Sequence, residues 1–312
     1  MTFTVITNIK ELIITEATNN NIPLRIETPN MANITSIKNA YLLIKNEKIF
    51  DYGKMSDISL HNDILNKNNI TSIDAKNGIV MPAFCDPHTH LVFANTREEE
   101  FIMRIKGMSY EEIAQKGGGI LNSAKKLRQT SENELFDKAI ERINNVVKYG
   151  TGAIEIKSGY GLTLEDEIKI LKVIRRLKET QPVKIKATFL GAHAIPEEYK
   201  NERNKYIDII IKRMIPQIAS EKLADYCDVF CEKGFFTINE TEKILDTATK
   251  YGLKTKLHAN QLSNSGAVQT GIKYKCSSID HLENIGDEEI NIIKHSNTMP
   301  TLLPNASFFL NM

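Results

Sequence analysis

The sequence predicts an α/β protein: a (β/α)₈ barrel of the TIM type that lacks its last βα unit, preceded by a small β-sandwich subdomain. Three observations predict this fold. Short apolar runs alternate with helix-period segments after residue 80, which is typical of parallel βα units. Seven such units occupy about 230 residues, close to the roughly 250 of a complete barrel. The residues before 80 show only strand-like patterns. We therefore expect two domains, 1–80 and 81–312.

The N-terminal domain is predicted from three alternating stretches, KELIIT, AYLLIKNEKIFDYG and NGIVMP. Asn-rich and Gly-containing turns separate them, as expected for small antiparallel strands. Three short strands make a small sheet, so we expect a composite sandwich that needs C-terminal strands to be complete.

The barrel strands are predicted as short apolar runs of the kind that a parallel sheet buries on both faces. In chain order they are FCDPHTHLVF, GAIEIKS, KIKATFLGAHAI, CDVFCE, KTKLHANQL, SSIDHL and TMPTLLP. The sequence stops at LPNASFFLNM, directly after the seventh run. An unclosed barrel has unpaired edge groups, so we expect an exposed seventh strand and low stability.

Two helices between these strands are well defined. One begins at Ser131, with Glu134 in capping-box spacing, and ends at Gly150. The next, in TLEDEIKILKVIRRLKET, has acidic residues in its first turn and basic residues near its end, as the helix dipole favours. Both are predicted to be scaffold helices with solvated charged faces.

Composition excludes several classes of partner. The 40 basic and 39 acidic side chains give a net charge of +1, which offers no surface for nucleic acid or an anionic membrane. No apolar run approaches the roughly 18 residues that span a bilayer, and no export signal is visible. The four cysteines lack Cys-x-x-Cys spacing and are interpreted as buried thiols. We expect a cytoplasmic protein.

The strongest chemical motif is Asp86-Pro87-His88-Thr89-His90, at the end of the first barrel strand. Residues two apart in a strand point to the same side, so both imidazoles face the barrel mouth. Barrels of this type have their active sites at the carboxyl ends of the strands. Two neutral imidazoles there suit zinc or iron(II).

Further histidines follow later strands in the same way: His193, His258 and His281, whereas His61 and His295 lie elsewhere. A His-x-His pair alone is more often an accidental surface or core feature. Five of the seven histidines at one end of a barrel favour a metal centre instead.

With these motifs, the segment from Met81 to Met312 resembles the imidazolonepropionase family of metal-dependent amidohydrolases. The resemblance rests on DPHTHLVF, REEEF, KGGGI, IKSGYGL, TFLGAHAIP, LHANQLSNSG and IDHLE, in that order. His-x-His indicates only the broad amidohydrolase group. The stretches KSGYGL, FLGAHAIP and HANQLS are specific to this family.

The resemblance implies one divalent metal, Zn²⁺ or Fe²⁺, held by His88, His90, His258 and an aspartate of the eighth strand. That aspartate is not among these 312 residues. The implied reaction is hydrolysis of 4-imidazolone-5-propanoate to N-formimino-L-glutamate in histidine degradation, by a metal-activated water. The substrate is a small molecule, and a homodimer is left open.

The resemblance also implies roles for other residues. His281 would stabilise the oxyanion, and His193 would hold the substrate. Gln261 would act in catalysis and binding only by orienting the substrate or a water, because an amide cannot be a general base. Tyr160 would contact the substrate, with a packing role as the alternative.

The substrate's propionate requires a cation, and Arg97 is the candidate because its guanidinium can hold a carboxylate by two hydrogen bonds. The alternative is a surface pair with one of the three glutamates that follow it. Tyr110 is a further candidate, with buried packing as its alternative. Lys157 is not expected to bridge metals, and we expect it to pair with an acid such as Glu155 or Glu167.

Two other functions stay open. The chain could be a truncated, non-catalytic or weakly active remnant of this enzyme, since the eighth-strand aspartate is absent from the sequence. Another cyclic-amide amidohydrolase is the second alternative, although KSGYGL and HANQLS do not fit it. A metal measurement on wild-type protein and a His88 variant separates a working metal centre from a remnant.

Overall fold

The computed structural model describes residues 2–15, 26, 28–66, 69–108, 112–113 and 118–310. The chain divides into two compact units, Met1–Ala83 and Phe84–Met312. In the described residues, no helix has the length and apolar character needed to cross a membrane.

The first unit contains one five-stranded sheet. Its strands are β1 (Phe3–Ile14), β2 (Thr35–Lys45), β3 (Lys48–Lys54), β4 (Ile70–Asp74) and β5 (Ile79–Val80). The order is β3-β2-β1-β4, with β5 also paired to β1. Helical segments are Thr28–Met31, the 3₁₀ turn Met55–His61 and Asn62–Leu65.

The purely antiparallel arrangement predicted for this unit is wrong. The pairs β1–β2 and β2–β3 are antiparallel, but β4 and β5 both run parallel to β1. β3 and β4 both run in the direction of β1, so the helical segments between them carry the chain back to the end of the sheet at which β4 begins. Sequence analysis also missed β4, because its residues ITSID are mostly exposed and lack a clear apolar face.

This sheet has apolar residues on both faces. One buried cluster contains Phe3, Val5, Tyr41 and Leu43, and partly buried residues of the segment 55–65 pack against it. A second cluster contains Ile9, Leu12, Ala40 and Leu42. A sheet with two apolar faces needs cover on both sides. Within the described residues only one sheet is present in this unit, so a sandwich is not confirmed.

The second unit is a nearly closed parallel barrel of seven strands. They are β6 (Phe84–Thr89), β7 (Thr151–Lys157), β8 (Lys184–Ala192), β9 (Tyr226–Cys231), β10 (Lys254–Ala259), β11 (Ser278–His281) and β12 (Met299–Thr301). They lie side by side in chain order, and every neighbouring pair is parallel. All seven predicted barrel strands are confirmed. Two of the three residues of β12 are exposed.

Helices connect the strands of this unit. Their bounds are Glu98–Ile105, Gly119–Arg128, Glu132–Lys148, Leu164–Thr180, Glu197–Tyr199 (3₁₀), Arg203–Ile209, Ile210–Met214 (π), Ile215–Ser220, Ile238–Lys250, Ala267–Lys273, Asp287–Lys294 and Pro304–Leu310. Ser131 caps its helix by accepting a hydrogen bond from the N–H of Glu134 at 3.2 Å, and Gly150 follows the helix with φ +94°. Both predicted scaffold helices are confirmed.

One continuous buried cluster joins the strands to the helices around them. Aliphatic side chains such as Ile156, Ile174 and Leu257 are completely buried there. The prediction of four buried thiols is wrong for Cys85, which is exposed, while the other three cysteines are buried and all four are free. Cys85 lies on β6, which is at one end of the strand order and pairs with β7 alone among the described strands.

Candidate metal centre

One cavity, of about 480 Å³, lies at the carboxyl ends of the barrel strands. Eight of the nine residues that sequence analysis proposed for the site line it: His88, His90, Arg97, Tyr160, His193, His258, Gln261 and His281. Parallel strands bring their carboxyl ends to one side of a sheet, which explains why residues 193 positions apart meet. The structure therefore brings these eight residues together.

The His88–His90 pair has one buried partner for each ring. The two ring centroids are 5.4 Å apart. Nδ1 of His88 lies 2.7 Å from Oδ2 of Asp280, and Nδ1 of His90 lies 3.2 Å from the carbonyl oxygen of Ser158. Because a carbonyl oxygen can only accept, Nδ1 of His90 carries the proton, and Nε2 has the free lone pair.

His258 lies at the centre of the histidine group. Its ring centroid is 4.5 Å from that of His88, 5.8 Å from that of His90 and 5.1 Å from that of His281. Potential ligand atoms lie within 4.8 Å of one another in two trios, His88/His258/His281 and His90/His193/His258. The predicted trio His88/His90/His258 is not itself one of these two groups: His88 belongs to the first, His90 to the second, and His258 to both.

The donor set fits a metal ion. Nε2 of His258 is buried and has no hydrogen-bond partner among the residues that the structure describes. Its Nδ1 lies 3.0 Å from Oδ2 of Asp228, outside hydrogen-bond geometry. A buried nitrogen without a partner is costly unless something binds it. Carboxylates beside the other ring nitrogen are typical of metal-bound histidines.

Burial keeps these imidazoles neutral. Desolvation, helped by the neighbouring charges of Lys157 and His258, lowers the pKa of His88 well below its usual value, against the effect of Asp280. Burial and the adjacent histidines likewise lower the pKa of His90 and His193. Metals bind the neutral form of imidazole, so the environment favours the ligand form at neutral pH.

His193 and Tyr160 form one wall of the cavity. The rings of His193 and His90 are stacked, with centroids 5.0 Å apart and planes at 6°. The Tyr160 ring lies 5.1 Å from His90 and 5.4 Å from His193. Nδ1 of His193 donates to the carbonyl oxygen of Gly159 at 3.0 Å. The stack and this bond hold the His193 ring in place.

Arg97 has features of both roles considered for it, a pair with a neighbouring glutamate and binding of an anionic ligand. Its Nη1 lies 3.9 Å from Oε2 of Glu100, and Nε donates to Oγ of Ser123 at 2.9 Å. Its Cζ is 5.3 Å from the centre of the Tyr160 ring. In the described part of the chain, its buried Nη2 has no partner. A buried guanidinium N–H without an acceptor, in a cavity wall, is suited to an anionic ligand.

His281 and Gln261 also line the cavity. His281 ends β11 with φ +83°, a conformation that few non-glycine residues adopt and that is frequent at functional sites. Its Nδ1 lies 3.5 Å from Oε1 of Glu283, which in turn accepts a hydrogen bond from Ser307 at 2.9 Å. Gln261 is partly exposed. Tyr110, proposed from the sequence, lies outside the described residues.

A buried charge network below the histidines was missed by sequence analysis. Lys157 is completely buried, and its Nζ lies 2.7 Å from Glu155, 2.8 Å from Asp228 and 3.2 Å from Asp280. The expected pair with Glu155 is confirmed, whereas Glu167 bonds elsewhere. Lys256 also pairs with Glu155. The alternation of polar residues in CDVFCE and SSIDHL is the one signal that could have revealed this network.

The network fixes the charge of its members. Burial alone would raise the pKa of Asp280, but the ammonium of Lys157 and the hydrogen bond with His88 lower it well below its usual range. Asp228 behaves in the same way beside His258 and Lys157. The pKa of Lys157 is raised by these carboxylates despite its burial. Ionised carboxylates therefore face Nδ1 of two proposed metal ligands.

Several curated proteins to which this chain is similar are imidazolonepropionases. The chain is 48% identical to the imidazolonepropionase of Flavobacterium johnsoniae over 310 residues, which is 99% of this chain and 73% of that protein. It is also 48% identical to that of Christiangramia forsetii, over 98% of this chain and 72% of the relative. It is 41% identical to the imidazolonepropionase of Thermoanaerobacter pseudethanolicus, over 90% of this chain and 66% of the relative. No family model matches the chain.

Solved structures show the same fold at low identity. Guanine deaminase of C. acetobutylicum with bound guanine has a TM-score of 0.61 and 16% identity, covering 99% of this chain and 69% of that one. The 5-methylcytosine deaminase of Klebsiella pneumoniae liganded with 5-fluorocytosine has a TM-score of 0.66 and 13% identity, covering 98% of this chain and 67% of that one. At these identities the likeness concerns the fold alone.

Proposed function

The chain belongs to the imidazolonepropionase family, and from this premise we propose that it hydrolyses 4-imidazolone-5-propanoate to N-formimino-L-glutamate in histidine degradation. It is a hydrolase that acts on a carbon–nitrogen bond of a cyclic amide. The observation that carries the proposal is the cavity itself. Five histidines line it together with Arg97, whose buried Nη2 has no hydrogen-bond partner among the described residues. One half of this cavity suits a metal, and the other half suits a carboxylate.

We assign His88, His90 and His258 as the metal ligands. The metal is Zn²⁺ or Fe²⁺, which both accept imidazole ligands. When bound, such a metal supplies hydroxide at neutral pH by lowering the pKa of its water to about 7. Support for this assignment comes from the partnerless Nε2 of His258 and the carboxylates beside His88 and His258.

The remaining residues bind and orient the substrate. Arg97 holds the propionate through its free Nη2, while Tyr160 and His193 pack against the ring. His281 donates a hydrogen bond to the carbonyl oxygen as negative charge develops on it. Gln261 orients the ring or a water with its amide, without taking a proton. Opening of the ring C–N bond then gives the formimino product.

The wider architecture is part of the same proposal. We take the seven strands to be the first seven of a (β/α)₈ barrel, because they are all parallel and follow chain order. Domains 1–80 and 81–312, with the former in a composite β-sandwich, are supported by the two apolar faces of its sheet. Four free cysteines support a cytoplasmic location. A homodimer stays open.

The function is tested by turnover with a defined metal load. Wild-type chain with one Zn²⁺ or Fe²⁺ per molecule, measured by elemental analysis, is expected to convert imidazolonepropionate to formiminoglutamate, identified by mass spectrometry. Product at the uncatalysed rate from metal-loaded, folded protein would support the remnant alternative instead. A dihydropyrimidine used as a second substrate should not be turned over, which separates this reaction from another cyclic amidohydrolase.

The assignment of Arg97 gives a further expected result. Arg97→Met should raise KM about 100-fold, because two charged hydrogen bonds to the propionate are lost. The metal content should stay at the wild-type value, since Arg97 touches no proposed ligand. Arg213→Met, at an exposed helical position, is the matched control and should leave KM unchanged. An unchanged KM in the Arg97 variant would leave the carboxylate without its proposed partner.

A further inference from the structure

We propose that Glu167 is a positioning residue that fixes the rings of His193 and His90 through the loop Ser158–Leu162. The inference rests on the proposed function for the roles of these two histidines. Glu167 lies in the first turns of the helix Leu164–Thr180, which follows this loop, and it does not line the cavity. It acts on the site only through the backbone between them.

The Glu167 carboxylate is the anchor of the loop. Its side chain is completely buried. Oε2 accepts a hydrogen bond from the N–H of Gly159 at 3.0 Å, and Oε1 accepts from the N–H groups of Gly161 at 2.8 Å and Leu162 at 2.9 Å. A carboxylate has lone pairs for all three N–H donors, which makes it a suitable anchor for this loop.

The same loop presents its carbonyl oxygens to the histidines. The carbonyl of Ser158 accepts from Nδ1 of His90 at 3.2 Å, and that of Gly159 accepts from Nδ1 of His193 at 3.0 Å. Gly159 therefore donates its N–H to Glu167 and offers its C=O to His193. Displacement of this single residue would move the acceptor that sets the ring orientation and tautomer of His193.

The packing of Gly159 makes this linkage tight. Its φ of +108° is a conformation that favours glycine. A Cβ added there would lie 2.9 Å from Nδ1 of His193 and 3.1 Å from the side chain of Leu190. At Gly161, an added Cβ would lie 2.5 Å from the backbone nitrogen of Glu167. At Gly159 and Gly161 the loop therefore packs too closely against His193 and Glu167 to accommodate a side chain.

The test replaces the carboxylate by its isosteric amide. Glu167→Gln retains one oxygen but turns an NH₂ group toward donors that the carboxylate accepted. The hydrogen bond that is lost should be the one from the N–H of Gly159, because the retained oxygen is expected to be the one that accepts from both Gly161 and Leu162. We expect KM to rise about tenfold with kcat changed less than about threefold, because His193 holds substrate and one buried donor is left unpaired.

A second readout does not depend on turnover. In metal-free protein labelled with ¹⁵N at histidine, the wild-type His193 ring should show the Nδ1–H tautomer, and Glu167→Gln should show a mixture of both tautomers. A purely structural role would lower the melting temperature and leave the tautomer unchanged. An unchanged tautomer and KM in the folded Gln variant would overturn the proposal.

Control variants separate the possible causes. Glu165→Gln removes the same charge from the same helical turn at an exposed position, and it should leave both readouts at wild-type values. If Glu167→Gln does not fold, Glu167→Asp gives the same test, with a smaller shift because the shorter side chain still accepts. If wild-type protein does not turn over imidazolonepropionate, the proposed function fails, while the His193 tautomer still decides the role of Glu167.

Discussion

Replacing His88 by alanine is expected to abolish metal binding and ring hydrolysis together. His88 supplies one of the proposed ligands and is the residue that links Asp280 to the site, at 2.7 Å. Even loss of a supporting partner weakens a metal site by about 10- to 100-fold, so loss of a ligand should exceed that. Elemental analysis and a competing chelator measure the affinity, and product formation measures the activity.

A histidine outside the cavity provides the comparison for this variant. His295 is exposed and bonds to the carbonyl of Asn291 at the end of its own helix. His295→Ala should therefore bind one metal per chain and turn over normally. Metal bound to the His88→Ala protein with wild-type stoichiometry and affinity would remove His88 from the ligand set. His281, which shares a trio with His258, would then take its place.

Lys157→Met is expected to cause the largest loss of stability. Its ammonium is completely buried among Glu155, Asp228 and Asp280. Removing one partner of a buried ionic network leaves uncompensated charge and typically costs about 3–5 kcal/mol. The free energy of unfolding, measured with urea, should fall by this amount. Metal affinity should fall as well, since both aspartates lie beside proposed ligands.

A surface lysine tests whether burial is the cause. Lys186 pairs with Asp225 at 2.8 Å, with 48% of its side chain exposed. Exposed pairs contribute about 0–1 kcal/mol, so Lys186→Met should change the free energy of unfolding by no more than that. Equal losses in the two variants would mean that the ammonium of Lys157 has no special stabilising role.

Much of the barrel could be predicted because its signals are local. The runs GAIEIKS and CDVFCE have the length and apolar content of buried strands, and Ser131 carries the chemistry of a helix start. The positions of His88 and His258 at strand ends then follow from one rule, that parallel strands end on the same side. No distance information was needed for this step.

The N-terminal sheet shows where local signals are insufficient. Alternation predicted strands in AYLLIKNEKIFDYG, and the structure contains β2 and β3 there. Alternation gives no information on pairing direction, and β4 and β5 run parallel to β1 because of the path the chain takes between them. Cys85 was misassigned for a related reason, since exposure depends on which strands flank β6.

The sequence by itself determined the barrel strands, the family resemblance and eight of the residues that line the cavity. Only the tertiary structure decided which polar groups lie together: Lys157 with Asp228 and Asp280, and Glu167 with the loop that holds His193. The physical reason is that strand and helix periodicity act over a few residues. Hydrogen bonds and ion pairs between strands distant in sequence depend on register and twist, which no local pattern encodes.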